Sequence, residues 1–252
     1  MTIQEFFRDN PRAALAFSGG TDSSYLLYAA SRSGCDLRPY FLKTAFQPAF
    51  ELEDAKKLCA ALGVALTILE LDVLAREEIV RNPADRCYYC KKALFTALTV
   101  RARADGYPLV IDGTNASDDA DDRPGMRVLR ELGVRSPLRE CGITKKMVRA
   151  ESAQAGLFTA AKPSYACLAT RIPAGERIEA ETLRRVETAE SFLSSLGFSD
   201  LRVRVNGSEA KIQLPKAQFS RLLECREAIG RQFAEWFSCT VLDLAPRKEK
   251  TE

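Results

Sequence analysis

Short apolar runs alternate with amphipathic helical patterns through the N-terminal part of the chain, and this alternation constrains the fold most strongly. It predicts the α/β class, in which helices flank a parallel sheet. Ligands of open parallel sheets bind at the carboxyl ends of the strands. We therefore expect a site in the loops 18–24 and 113–125, which follow the first and fourth predicted strands. The predicted strands are 13–17, 37–43, 65–71 and 109–112, and the predicted helices are 25–32, 51–62, 92–104 and 144–155.

The pattern changes after an irregular, proline-containing stretch at 157–176. Asn206-Gly207 stands between two alternating segments, which is a strong signal for a tight hairpin. We therefore predict two domains, residues 1–168 and residues 169–252, the second a smaller α+β domain. Its predicted elements are a helix at 179–196, the hairpin, a helix at 216–237 and a last strand at 240–244.

The chain of 252 residues contains no histidine, which excludes mechanisms built on a Ser-His or Cys-His pair and metal sites with histidine ligands. Eight cysteines without a secretory N-terminus indicate reduced thiols. The first residues lack the order of a signal peptide, and no run approaches the ~18 apolar residues of a membrane span. We therefore expect a cytoplasmic protein with no membrane partner. Lys and Arg number 37 and Asp and Glu 34, and a net charge of +3 does not favour a nucleic-acid partner.

The sequence SGGTDSS at 18–24 lies between the first predicted strand and a helix. Gly19 and Gly20 permit a tight turn that exposes consecutive amides, and Ser18 and the helix N-terminus add donors suited to phosphate. The loop is neither a Walker A motif, because the lysine is missing, nor a dinucleotide-binding GxGxxG. The alternative is an ordinary capped helix start after a glycine turn.

The second expected loop is strongly acidic, and such a cluster repels itself unless a cation or an arginine neutralises it. The alternative is a solvated acidic loop. The acidic positions are Asp118, Asp119, Asp121 and Asp122. Candidate contacts to a nucleotide or an activated acyl group in this loop are Gly113, Asn115 and Arg123.

Cys87 and Cys90 form a CxxC that is predicted just before a helix, and Cys167 lies in KPSYACLATR near the predicted domain boundary. Three thiolates without histidine suit an iron–sulfur cluster better than a metal site built from oxygen ligands. Structural zinc needs a fourth ligand, for which Cys141 is a candidate, and ordinary or redox thiols remain a further alternative. The other cysteines are predicted to be small core residues: Cys35, Cys59, Cys225 and Cys239.

Arg202 and Arg204 stand two residues apart, which places them on one face of a predicted strand. Two guanidinium groups facing the same way suit a phosphate or a carboxylate, and an exposed hairpin face is the alternative. Glu187 and Glu190, one helical turn apart, are candidates to balance these arginines or to meet a metal.

SGGTDSS resembles the SGGxDS pyrophosphate loop of enzymes that split ATP into AMP and pyrophosphate. The whole chain resembles the LarE family, ATP-dependent sulfur transferases that build the nickel-pincer nucleotide cofactor of lactate racemase. The resemblance implies a PP-loop domain of the adenine nucleotide alpha hydrolase type and a C-terminal domain for substrate and oligomer contacts. The motifs that carry the resemblance are SGGTDSS, DGTNASDDADDRPG with RELGVRSPL, KPSYACLATR with IPAGERI, and RVRV.

The resemblance implies adenylation of a pyridinium biscarboxylic acid mononucleotide, followed by replacement of AMP by sulfur to give a thiocarboxylate. It implies ATP and Mg²⁺ as cofactors and a homo-oligomer, often a hexamer. The implied pyrophosphate ligands are Ser18, Gly19, Gly20, Asp22 and Ser23, with Asp22 near Mg²⁺. Further implied roles are phosphate binding for Arg202 and Arg204, a metal near Glu190, and a place near the reacting end for Thr170 and Arg171.

Members of the family differ in the source of sulfur. Some surrender the sulfur of a protein cysteine, for which Cys167 is the candidate here. Others resemble cluster-dependent tRNA thiolases, in which three cysteines hold a 4Fe-4S centre. Cys87, Cys90 and Cys167 match the three-cysteine pattern, so we favour the cluster-bearing type.

Three other functions are compatible with the loop. Transfer RNA thiolation pairs a similar loop with three cysteines, but it calls for a basic surface that a net charge of +3 does not indicate. Amidation by ammonia would leave the cysteines without a role. A nucleotide-binding module without turnover is distinguished by the release of pyrophosphate, which it would not show.

Overall fold

The computed structural model describes residues 1–118 and 124–247. Two compact units are present. The first comprises Met1–Val73 and Asp85–Lys162, and the second comprises Leu74–Ala84 and Pro163–Glu252. The predicted division into domains at residue 168 stays a prediction. Among the described residues, no helix has the length and apolar character needed to span a bilayer.

The first unit contains a four-stranded sheet in which every pairing is parallel, in the order β3-β2-β1-β4. This confirms the predicted α/β class. The chain places β2 and β3 on one side of β1 and then returns to place β4 on the other, so the connection reverses direction between β1 and β4. A crevice at the carboxyl ends of two such strands is the usual ligand site of this architecture. The strands are β1 (Arg12–Ala16), β2 (Asp36–Lys43), β3 (Thr67–Glu70) and β4 (Val110–Ile111).

Helices cover both faces of this sheet, because β1 is apolar on both sides. Ala13 and Leu15 pack into one core cluster with Phe6 and Leu26, whereas Ala14 packs into a second cluster on the opposite face. The helices in chain order are α1 (Ile3–Asp9), α2 (Thr21–Arg32), α3 (Ala49–Ala61), α4 (Glu77–Val80, in the second unit), α5 (Arg86–Ala104), α6 (Pro124–Glu131), α7 (Pro137–Glu140) and α8 (Lys145–Gln154).

Helix α5 begins earlier than the sequence predicts. The structure places Cys87 and Cys90 inside its first turns, so the prediction that the CxxC precedes a helix is wrong. Nothing after Pro83 breaks a helix, since RCYYCKKALF contains neither glycine nor proline. Two residues three apart on a helix share one face, so the helix itself brings the two thiols to one side.

The second unit is built around a three-stranded sheet, in which β5 and β6 form an antiparallel hairpin and β7 pairs parallel to β6. Gly207 has a φ of +58° in the hairpin turn, which confirms the predicted hairpin. A 3-10 turn, Leu168–Arg171, follows Cys167 directly. The other elements are α9 (Ala180–Ser195), β5 (Arg202–Asn206), β6 (Glu209–Gln213), α10 (Phe219–Glu224), α11 (Arg226–Phe233) and β7 (Cys239–Leu242).

The prediction of a single helix over 216–237 is wrong. A 3-10 turn at Lys216–Gln218 precedes α10, and the backbone of Cys225, with a φ of −88° and a ψ of 4°, separates α10 from α11. The segment after α11 leaves the helical path so that Trp236 and Phe237 pack on the ring of Phe233. The amphipathic pattern runs through all these breaks, which is why periodicity alone suggests one helix.

Candidate functional site

The loop between β1 and α2 makes a tight turn that only glycine accommodates. Gly19 has a φ of +66°, and a Cβ on it would lie 3.0 Å from the Glu51 carbonyl oxygen and 3.1 Å from the Ala55 nitrogen of α3. Inside the loop, the Ser23 hydroxyl donates to the Gly20 carbonyl at 3.2 Å, and its oxygen lies 3.2 Å from the Ser18 oxygen. These contacts hold Ser18, Gly19, Gly20 and Ser23 together at the N-terminus of α2, where backbone amides favour an anion.

The loop after β4 contacts the first loop, as expected for two loops at the same edge of the sheet. A Cβ on Gly113 would lie 3.1 Å from the Ser23 nitrogen, so the two backbones approach closely. The Asn115 side chain is buried and donates from Nδ2 to Asp22 Oδ1 at 3.4 Å. The structure therefore brings the predicted residues Gly113 and Asn115 against the predicted pyrophosphate loop.

Hydrogen bonds at the start of the acidic loop hold its described residues in place. Asp112 accepts from the Ser136 hydroxyl at 2.6 Å and from the Thr114 hydroxyl at 2.5 Å. Asp118 Oδ2 accepts from the Asn115 backbone nitrogen at 3.0 Å. The remaining predicted residues of this loop, Asp119, Asp121, Asp122 and Arg123, lie outside the described residues.

Two lysines that the sequence does not single out flank the glycine turn. Lys145 Nζ lies 2.6 Å from Asp22 Oδ2. Lys162 Nζ donates to Asp54 Oδ2 at 2.6 Å and to the Gly19 carbonyl at 3.1 Å. A loop without a Walker lysine thus has two ammonium groups beside it, which suits a site for polyphosphate. Lys162 stands at the start of the KPSYACLATR motif, but nothing in the sequence around Lys145 marks it.

Burial raises the pKa of Asp22, and the charge and hydrogen bond of Lys145 oppose that rise. The carboxylate is therefore costly to bury alone and depends on a neighbouring cation. A cation other than Lys145 can fill that role, so the donor chemistry of Asp22 fits the predicted place near Mg²⁺.

The eight cysteines are all free thiols, and they differ in how far they are buried. Burial raises the pKa of Cys35 and of Cys59 to about 11, and Cys59 is buried in the core, as predicted. Cys239 is exposed, so its predicted place in the core is wrong, because it lies at the exposed first position of the short strand β7. Cys87 is exposed, and the half-buried Cys90 lies one helical turn further along α5.

Cys87 and Cys90 belong to the first unit, and Cys167 belongs to the second. Within the described part of the chain, no three Cys, Asp or Glu side chains are grouped closely enough to hold a metal ion. The three-cysteine site therefore stays a prediction, as does the alternative use of Cys141.

In the second unit, Arg171 and Glu190 form a buried ion pair. Arg171 is 1% exposed and Glu190 4%, and the guanidinium donates from Nε at 2.8 Å and from Nη2 at 3.1 Å to the carboxylate. Glu190 also accepts from the Tyr165 hydroxyl at 2.5 Å and from the Val203 nitrogen at 2.8 Å. Four donors occupy both carboxylate oxygens, so Glu190 does not fit the predicted role of a metal ligand. Arg171 also donates to backbone carbonyls of the segment around Cys167, and its place near the reacting end stays a prediction.

Arg202 and Arg204 both donate to backbone carbonyls of the segment 164–170, but Arg202 is buried and Arg204 is exposed. Arg202 is buried and donates to the Ser164 carbonyl at 2.7 Å, whereas the exposed Arg204 donates to the Thr170 carbonyl at 2.9 Å. Burial lowers the pKa of Arg202 to about 10, and the nearby charge of Arg171 adds to this effect. The second unit thus gathers Thr170, Arg171 and both strand arginines around the segment that carries Cys167.

The fold and the loops of the first unit together are those of an α/β protein of the PP-loop class, with a glycine turn where the connection of the sheet reverses direction. Comparison with known proteins narrows the class. The chain is 32% identical over 246 residues to the pyridinium-3,5-bisthiocarboxylic acid mononucleotide synthase of Lactiplantibacillus plantarum, covering 96% of this chain and 89% of that protein. The chain belongs to the LarE family of ATP-dependent sulfur transferases.

Two further relatives are also similar over most of their length. An uncharacterized protein of Synechocystis is 37% identical over 229 residues, covering 88% of this chain and 83% of that protein. An uncharacterized protein of Methanocaldococcus jannaschii is 30% identical over 237 residues, covering 93% and 89%. No protein-family model matches the chain.

Proposed function

We propose that the protein uses ATP to adenylate the carboxylates of pyridinium-3,5-biscarboxylic acid mononucleotide and converts them to thiocarboxylates, a step in nickel-pincer nucleotide biosynthesis. One observation carries the proposal. In a chain 32% identical to the synthase of Lactiplantibacillus plantarum, the loop after β4 contacts the glycine turn, with Asn115 Nδ2 3.4 Å from Asp22 Oδ1.

The glycine turn would hold the pyrophosphate part of ATP. Ser18, Gly19, Gly20 and Ser23 supply amides and hydroxyls, and Lys145 and Lys162 supply positive charge from two sides. Magnesium, when bound with the nucleotide, neutralises phosphate charge, and Asp22 is the residue that would hold it. These groups stabilise negative charge, which is what a departing pyrophosphate requires.

The first step needs no general base. An ionised carboxylate oxygen of the substrate attacks the α-phosphorus of ATP, and the bond from that phosphorus to the pyrophosphate oxygen breaks. The products are the acyl adenylate and pyrophosphate. The loop amides and the two lysines would stabilise the negative charge of the pyrophosphate. A sulfur nucleophile then displaces AMP to give the thiocarboxylate. This chemistry is open to a chain without histidine, because leaving groups replace proton transfers.

For the sulfur, the proposal assigns a 4Fe-4S cluster held by Cys87, Cys90 and Cys167. The two thiols on one face of α5 fit such a cluster, since soft thiolates are its usual ligands. A bound cluster would supply a sulfide that is not part of the polypeptide, so the protein could turn over repeatedly when inorganic sulfide replaces the sulfur that is consumed. If the protein is active without iron, Cys167 is the sulfur donor instead. Its thiolate would displace AMP to form a thioester, and loss of the Cα proton would then break the Cβ–S bond, leaving the thiocarboxylate and a dehydroalanine at position 167.

Arg204 is the proposed ligand of the substrate phosphate, because it is exposed on β5, whereas Arg202, two residues before it, is buried. The proposal includes a homo-oligomer and no nucleic-acid partner. The test is anaerobic incubation of the reconstituted protein with ATP, Mg²⁺ and the dicarboxylate nucleotide, followed by mass spectrometry. Replacement of carboxylate oxygen by sulfur supports the proposal, whereas recovery of unchanged substrate beside hydrolysed ATP contradicts it.

A further inference from the structure

Three arginines hold the backbone that carries Cys167. Arg171 Nη1 donates to the Ala166 carbonyl at 2.7 Å and to the Cys167 carbonyl at 3.2 Å. Arg202 and Arg204 bind the carbonyls of residues 164 and 170, on either side of this pair. A short segment without regular structure before Leu168 is therefore fixed mainly by side chains from other elements.

The Cys167 carbonyl itself accepts three hydrogen bonds. Besides Arg171, the donors are the Thr170 hydroxyl at 2.9 Å and the Thr170 backbone nitrogen at 3.0 Å. Because the Ala166 carbonyl is bound as well, the peptide planes on both sides of Cys167 are held, with φ at −55° and ψ at 149°. The backbone from which the Cys167 side chain extends is therefore held on both sides.

Arg171 can hold these carbonyls because it is itself anchored. Its other face pairs with Glu190, which Tyr165 and Val203 also bind. Two guanidinium carbons lie near the centre of the Tyr165 ring, that of Arg171 at 4.6 Å and that of Arg202 at 4.8 Å. A buried ion pair is often no more stabilising than apolar residues of the same volume, so stability alone does not account for this arrangement.

We propose that Arg171 and Thr170 are positioning residues that fix Cys167 through its flanking carbonyls, with Glu190 and Tyr165 as their anchor. The inference rests on the proposed function in one respect, the assignment of Cys167 as the cysteine that handles sulfur. The positioning itself is a property of the protein without substrate, and it can be measured without turnover.

The test compares Thr170→Val with Thr170→Ser in the full-length protein, with a chelator present so that bound metal does not mask thiols. Iodoacetamide labelling is followed cysteine by cysteine by peptide mass spectrometry. Thr170→Val removes the hydroxyl that binds the Cys167 carbonyl, so labelling of Cys167 should accelerate about fivefold, the equivalent of one hydrogen bond of ~1 kcal/mol. Thr170→Ser restores the hydroxyl and should restore the wild-type rate within twofold.

Cys225, half-buried in the same unit, is the internal reference. A general loosening would accelerate Cys225 together with Cys167, whereas a positioning role accelerates Cys167 alone. Arg171→Lys keeps the charge beside Glu190 but loses the planar fork, and its effect on Cys167 should exceed that of Thr170→Val.

An unchanged Cys167 rate in Thr170→Val, or equal acceleration of both cysteines, would overturn the inference. The thiocarboxylate assay on the wild-type protein is a separate readout. If the wild type makes no thiocarboxylate but Cys167 alone responds to Thr170→Val, the proposed function fails and the positioning stands.

Discussion

Lys145 Nζ lies 2.6 Å from Asp22 Oδ2, across a separation of 123 residues in the chain. The pair joins the first turn of α2 to the first turn of α8 beside the glycine turn. Burial raises the pKa of Asp22, so the lysine is what favours the ionised carboxylate at this position. The pair therefore links the two helices beside the glycine turn and partly neutralises Asp22 there.

Lys145→Met should weaken ATP binding and slow pyrophosphate release by about tenfold or more, since a hydrogen bond to a charged group is worth ~1.5–3 kcal/mol. Isothermal titration with ATP and a pyrophosphate assay measure the two effects. The matched control is Lys146→Met, because Lys146 is the next residue and is exposed. Equal behaviour of the two variants would remove Lys145 from the site.

Gly19→Ala should cost both stability and nucleotide binding. Its φ of +66° strains alanine, and the added Cβ would meet backbone atoms of α3 at 3.0 Å. Gly34→Ala is the control, since Gly34 has a φ of +71° with nothing within 4 Å of the new Cβ. Both variants should lose about 1–2 kcal/mol of unfolding free energy from the conformational strain. Gly19→Ala alone should lose more and bind ATP poorly, and equal losses with intact binding would contradict the role of the turn.

The hydrogen bonds that Glu77 accepts make the stability of the second unit depend on pH. Hydrogen bonds from Arg177 and Arg81 lower the pKa of Glu77 to about 2 from its ordinary 4.5. A carboxyl with a lowered pKa stabilises the fold above its unfolded pKa, and this contribution disappears as the pH falls from about 4.5 towards 2.

Denaturant midpoints of wild type and Glu77→Gln should therefore differ at pH 7 and converge as the pH falls below 4.5. The difference should be small and should shrink with added salt, because the groups are exposed. A difference that grows on acidification would contradict the assignment.

Anaerobic iron and sulfide analysis tests the source of sulfur. Cys87→Ser, Cys90→Ser and Cys167→Ser should each lose most of the reconstituted iron, because a cluster needs all three ligands. Cys239→Ser should keep it, since Cys239 is exposed on β7 and outside the proposed ligand set. An iron-free active protein whose intact mass falls by the elements of hydrogen sulfide after turnover would instead identify Cys167 as the donor.

Local patterns were sufficient to predict the glycine turn and the parallel sheet. Gly19 and Gly20 follow an apolar strand and precede a helix, and this arrangement can be recognised from residues that are adjacent in the sequence. The proximity of the loops after β1 and β4 followed from topology, because parallel strands bring their following loops to one edge, and Asn115 and Asp22 are where the two loops meet.

Long-range side-chain partners could not be predicted in this way. Lys162 reaches the Gly19 carbonyl across 143 residues, and no spacing rule connects them. The sequence offered Glu190 as a partner of Arg202 and Arg204 or of a metal, whereas in the structure Arg171 donates to both of its carboxylate oxygens. The break at Cys225 likewise leaves no mark in the amphipathic pattern.

The most direct test of the central claim is the nucleotide product formed when the protein meets ATP, Mg²⁺ and the dicarboxylate nucleotide. If the glycine turn binds pyrophosphate while the substrate carboxylate attacks the α-phosphorus, AMP and pyrophosphate must appear in equal amounts, and only when the dicarboxylate is present. Formation of ADP and phosphate, or release of AMP and pyrophosphate that does not depend on the dicarboxylate, would contradict the account.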